Sequence, residues 1–83
     1  MEIEVCIDDP SHIKKVIDAG ADRIELCNNL MAGGTTPSLG AITLSRQATD
    51  KPIHVLIRPR ICDFIYTDEE VNIMIKDIEM CRD

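Results

Sequence analysis

An α/β fold of parallel strands is predicted by three observations. Short β-branched runs recur along the chain, each is followed by turn residues, and each turn leads into a segment of helical apolar periodicity. The runs are EIEVCI (2–7), RIELC (23–27) and IHVLI (53–57). Strands alternating with helices are joined by right-handed crossovers and lie parallel.

Each helix has its own boundary signals. After the first run, Asp9 is placed to cap a helix with Pro10 at its first position, Ile13, Val16 and Ile17 form the stripe, and Gly20 ends it. In the second unit Thr36 and Pro37 are expected to take the same two roles ahead of Leu39, Ile42 and Leu44. Thr67 and Glu70 have capping-box spacing at the start of the third helix, whose expected stripe is Val71, Met74, Ile75, Ile78 and Cys81. No linker or low-complexity tract interrupts the pattern, so residues 1–83 read as one partial domain.

Composition narrows the partners. The net charge is -6 and the pI is near 4.7, which argues against nucleic acid or an anionic membrane surface, since both select clustered Lys and Arg. The amino terminus, MEIEVCIDDP, lacks the charged and apolar regions of a secretory signal, and no run is long enough to span a bilayer. A cytoplasmic location is therefore expected. There the four cysteines, Cys6, Cys27, Cys62 and Cys81, are expected as reduced thiols, and their spacing matches no zinc ribbon or finger.

Strand periodicity separates two faces. Ile3, Val5, Ile7, Ile24, Leu26, Ile53, Val55 and Ile57 fall on the face that helices would cover. Glu4, Cys6, Arg23, Glu25, Cys27, His54, Leu56 and Arg58 fall on the other. An open doubly wound sheet is apolar on both faces, so a polar inner face fits the lumen of a (β/α)8 barrel near its active-site end. Three of the eight units are present.

The blocks GADRIELC (20–27), GGTTPS (33–38), HVLIRPR (54–60) and DFIYTDEE (63–70), in that order, closely resemble the amino-terminal part of the CutC family, associated with copper homeostasis. The resemblance covers essentially the whole chain. It implies the amino-terminal three βα units of a TIM barrel. Two positions depart from the family pattern: Ile61 and Cys62 stand where Gly-Gly is usual, and Ala32 stands where an acidic residue is usual.

Soft Cu(I) prefers thiolate sulfur, and the family's proposed copper ligands fall on Cys6 and Cys27. On adjacent strands about 4.8 Å apart, two such thiolates can share one ion if the register is favourable. The residues alone favour two small buried hydrophobes. Cys62, on the loop at the same end, is a possible third ligand, and Cys81 is expected in the core.

The charged residues support another reading, an enzyme acting on a small anionic metabolite. Here Arg58 would fork onto a carboxylate or phosphate and Glu25 would serve as acid or base; the structural alternative is an internal Glu25–Arg58 pair. His54 is expected as a satisfied interior histidine. Gly33 and Gly34 permit backbone conformations closed to other residues, and TTPS starts a helix whose free N–H groups face the same rim. Gly34, Thr36, Ser38, Arg58 and Arg60 are thus candidate anion-binding residues, with an ordinary capped βα loop as the alternative. Asp63 is placed to orient Arg58 or Arg60, Phe64 and Tyr66 to wall or pin the third loop, and Asp68, Glu69 and Glu70 to lie in solvent. With only three units, the sheet keeps two open edges, and self-association is expected.

Overall fold

The computed structural model describes residues 1–82. Three strands, β1 (Glu4–Ile7), β2 (Arg23–Leu26) and β3 (Ile53–Val55), alternate with three helices, α1 (Ile13–Asp18), α2 (Leu39–Ala48) and α3 (Asp68–Arg82). The strands form one parallel sheet in the order β1-β2-β3. The parallel α/β architecture expected from the alternating pattern is present.

β2 is the central strand, paired on both sides, and Ile24 and Leu26 are fully buried on it. They join Ile7 and Ile13 in the core, flanked by Val5, Val16, Ile17, Ile42 and Ile53. Alternation alone therefore located the helix-covered face of β1 and β2. Ile3 is the exception at 48% exposure, and it precedes the β1–β2 ladder.

Helix starts follow side-chain chemistry, and one differs from expectation. Asp9 accepts a hydrogen bond from Ser11 N at 2.9 Å and opens a 3-10 turn, Pro10–His12, that leads into α1. At α3 the capping box is complete: Glu70 N donates to Thr67 Oγ1 at 3.2 Å and Thr67 N donates to Glu70 Oε1 at 2.9 Å. α2 begins two residues later than Thr36 and Pro37 would place it. Ser38 is the cap, its Oγ accepting from Ala41 N at 3.1 Å. Thr36 cannot serve because its hydroxyl accepts from Arg58 N at 2.7 Å, while its own N donates to Arg58 O at 2.9 Å. The same pair of bonds draws the chain after β3 toward the second loop, so the third strand ends at Val55 rather than Ile57.

Two apolar stripes are less buried than their periodicity suggests. On α2, Ser45 is fully buried and Ile42 packs against the core, but Leu39 and Leu44 are exposed. Residues 42 and 45 share a face at 100° per residue, and residue 44 points away from it. On α3 no side chain is buried, so neither the expected stripe nor Cys81 belongs to the core. A gap of about 290 Å³ lined by Ile53, Val55, Ile57, Ile78, Cys81 and Arg82 separates this helix from β3. Among the described residues, no helix is long and apolar enough to cross a membrane.

Candidate functional site

The polar face of the sheet ends in two loops, one after β2 and one after β3. The first is built by local chemistry. Asn29 adopts a left-handed conformation (φ 49°), a short 3-10 turn covers Leu30–Ala32, and Gly33 and Gly34 follow with φ of 91° and 94°. Asparagine tolerates this region better than most residues, and glycine enters it without steric cost. Asn28 and Thr35 exchange backbone hydrogen bonds across the turn, and Asn29 Nδ2 donates to Thr35 Oγ1 at 3.0 Å. Asn29 was not singled out from sequence, although asparagine ahead of a double glycine is a readable signal for such a turn.

This loop folds back over the strand ends. A Cβ placed on Gly34 would lie 2.7 Å from Leu56 Cδ2 and 3.7 Å from Cys27 Cβ. The two glycines thus allow a close approach as well as a positive φ. Beneath them Cys27 is buried, with its thiol donating to Ile7 O at 3.4 Å.

Cys6 is on the same sheet face but exposed, and its thiol donates to Glu25 Oε1 at 3.5 Å. The register pairs Cys6 with Glu25, so Cys27, two residues after Glu25 and just past the end of β2, is a diagonal neighbour of Cys6. Diagonal neighbours stand roughly 7–8 Å apart at Cα, further than the 4.8 Å of directly opposed strands. Both thiols are held above their ordinary pKa. For Cys6 the causes are desolvation, the hydrogen bond to Glu25 and the nearby negative charges; for Cys27 they are desolvation and the charges of Asp8 and Glu25. Both are therefore protonated near neutral pH.

The donor set fits a soft ion with few ligands better than a hard or zinc-like one. Among the described residues, no group of three or more His, Cys, Asp or Glu side chains converges as a metal site. Cys62 and Cys81 take no part in such a cluster.

The acid and base candidates are separated. Glu25 meets Cys6 and forms no ion pair with Arg58, so the internal Glu25–Arg58 pair is absent. Charge on this face is neutralised lower down: Glu4 Oε1 lies 3.1 Å from His54 Nδ1 and 3.3 Å from Arg23 Nε, and Arg23 also pairs with Glu2. His54 is partnered as expected, but at an exposed position.

Arg58 and Arg60 share a loop and differ completely in commitment. Arg60 Nε bonds Glu70, Nη2 bonds Asp63 Oδ1 at 3.1 Å and Ile65 O at 2.6 Å, and Nη1 bonds Ile61 O at 3.1 Å. Its guanidinium also lies 5.3 Å from the Tyr66 ring centroid. Arg60 organises its own loop and has no donor edge left for an anion. Asp63 orients Arg60, not Arg58, and Glu70 is a partner of that arginine rather than a solvated acid. The Thr67 backbone N–H and then Arg60 hold the Glu70 carboxyl below its usual range. Ser38 and Thr36 are likewise committed, one to Ala41 N and the other to Arg58 N.

Arg58 is 7% exposed and stacks on Phe64, its guanidinium carbon 4.6 Å from the ring centroid. Nη1 donates to Gly34 O at 3.1 Å, and a Cβ on Gly33 would lie 3.0 Å from the same nitrogen. Gly34 and Arg58 are thus brought together as expected. The Arg58–Phe64 stack has no sequence signal, since it depends on how an irregular loop turns.

In that loop Cys62 has φ 91°, a conformation that costs an L-residue about 1–2 kcal/mol relative to glycine. Glycine returns part of this gain through unfolded-chain entropy of roughly 0.5–1 kcal/mol. Cys62→Gly is expected to stabilise the chain by about 0.5–1 kcal/mol, read as a higher urea midpoint. A lower midpoint would place Cys62 in contacts that outweigh its strain.

With this geometry in place, similarity to known proteins can be read. The CutC family model matches residues 1–83. A copper homeostasis protein cutC homolog from Homo sapiens is 44% identical over 80 residues, covering 96% of this chain and 29% of that protein. A CutC family protein from Vibrio vulnificus (strain CMCP6) is 47% identical over 77 residues, covering 93% of this chain and 31% of its own length. A crystal structure of a protein named CutC from Streptococcus agalactiae superposes with a TM-score of 0.88 at 36% identity, covering 99% of this chain and 41% of that one. The chain thus spans about a third of the length of these two relatives. Agreement in sequence along the whole chain, and in the path of its backbone, leads to one assignment: the chain belongs to the CutC family.

Proposed function

We propose that this chain acts in copper homeostasis by binding Cu(I) through Cys6 and Cys27, as the amino-terminal three βα units of a cytoplasmic (β/α)8 barrel. The observation that carries the reading is the placement of two thiols on one sheet face, diagonal to each other, one on β1 and one just past the end of β2. The relatives' names supply the copper context. Copper is the cargo in this reading. Two thiolates offer it soft ligands, and binding releases the protons that both sulfurs carry. Cys6 is open to solvent, whereas Cys27 must leave its bond to Ile7 O and the cover of Gly34.

Anaerobic titration with Cu(I) tests this. A thiolate-to-metal absorption band is expected, lost in Cys6→Ser and in Cys27→Ser but retained in Cys81→Ser. Zinc at comparable concentration should leave the band in place, because the proposed site supplies only two thiolates. Equal loss in all three variants, or displacement by zinc, overturns the assignment.

A further inference from the structure

We propose that Arg58 is the anchor of an oxyanion-binding site, for a phosphate or carboxylate group, independent of the cysteines. The guanidinium is permanently charged, and burying such a charge is costly unless it is paired. At 7% exposure Arg58 is buried even though the surrounding sheet face is open. Its own loops hold it there, with Gly33 and Gly34 against one side and the Phe64 ring against the planar face.

What surrounds this charge does not neutralise it. Among the described residues no carboxylate lies within ion-pair distance of Arg58, and Ala32, beside Gly33, offers none. The Gly34 carbonyl accepts from Nη1, but Nε is buried without any hydrogen-bond partner. A buried donor left unsatisfied is costly, and more so when it is charged. Arg60, two residues on, shows the contrast, with every guanidinium nitrogen bonded to its own loop or to the first turn of α3. Arg58 instead keeps an unused edge.

That edge matches an oxyanion. Nε and Nη2 point in parallel, and two oxygens of one carboxylate or phosphate accept from them together in a charge-assisted fork. A lone neutral acceptor would satisfy Nε but leave the charge. Phe64 covers the guanidinium face: its ring stacks there yet is 75% exposed, and Ile65 beside it is 82% exposed. A ligand bonded along this in-plane edge does not compete with the ring, which occupies the planar face.

The test is a ¹⁵N-detected titration of arginine Nε–H signals with inorganic phosphate and with acetate, at ionic strength held constant with sodium chloride. One Nε–H resonance is expected to shift saturably with at least one of the two oxyanions. In Arg58→Lys, which keeps the charge but lacks the fork, the affinity should fall at least about tenfold. Phe64→Ala should leave the fold intact and keep or strengthen the response, and Cys6→Ser should bind phosphate or acetate as the parent does while losing the copper band. Saturation by phosphate alone or acetate alone identifies which oxyanion the site takes. Should Arg58→Lys fail to fold, the Nε–H titration of the parent chain and of Phe64→Ala decides the matter. A resonance that moves no more than with chloride, or an undiminished response in a folded Arg58→Lys, overturns the proposal.

Discussion

Gly34→Ala is expected to destabilise the chain by about 2–4 kcal/mol, through two separate effects. The first is conformational: at φ 94° an alanine is strained whatever space surrounds it. The second is steric, since the new methyl group would lie 2.7 Å from Leu56 Cδ2, with Cys27 behind it. Leu56 can relieve part of that overlap by rotating, but rotation spoils its packing under the loop. Gly20→Ala isolates the two effects. It has φ 114° with nothing within 4 Å of the added Cβ, so only the strain, about 1–2 kcal/mol, should register. For a chain of 83 residues, total stability at roughly 0.05–0.15 kcal/mol per residue is about 4–12 kcal/mol, so the Gly34 change removes a large part of it. Urea melts should show a reduced midpoint with an unchanged slope. Equal midpoints for the two alanine variants would mean that the second loop does not press on Leu56 in solution.

The isolated chain is expected to self-associate at low micromolar concentration, with stability that rises as concentration rises. Its sheet has three strands, and β1 and β3 each pair on one side only. Val71, Ile73, Ile75, Ile78 and Met80 on α3 are between 42% and 51% exposed, more apolar helix surface than one chain covers. Open strand edges and uncovered apolar surface both favour contact with a second chain. For a dimer whose monomer does not fold, tenfold more protein should add about 1.4 kcal/mol to the apparent stability. Sedimentation velocity across a concentration series, paired with urea melts at each concentration, reads both effects. A single monomeric species with one sharp, concentration-independent transition would show that three units suffice alone.

What was legible in the sequence divides by the range of the interaction. The strands were readable because Ile7, Ile24 and Leu26 alternate with polar neighbours, and alternation is a local consequence of pleating. The α3 start was readable because Thr67 and Glu70 satisfy each other within one turn. The α2 start was misplaced because the Thr36 hydroxyl is claimed by Arg58, 22 residues away, and no local pattern reports a competitor at that distance. The same limit explains the site. Glu25, Arg58 and Arg60 were recognisable as rim residues, but partner choice depends on strand register and on loop paths. Register gave Glu25 to Cys6, and the third loop gave Asp63 and Glu70 to Arg60. Of the two rim arginines, Arg58 alone has no acid partner among the described residues.

The glycine turn over Cys27 also bears on oxidation. Peroxide and disulfide partners attack a thiol according to its thiolate character and its access. Cys27 is denied on both counts, because Gly34 shields the sulfur and desolvation keeps its proton in place. Cys6 and Cys62 stand open to solvent. Oxidative damage therefore falls first on these two, and the thiol beneath the turn is the one the chain preserves.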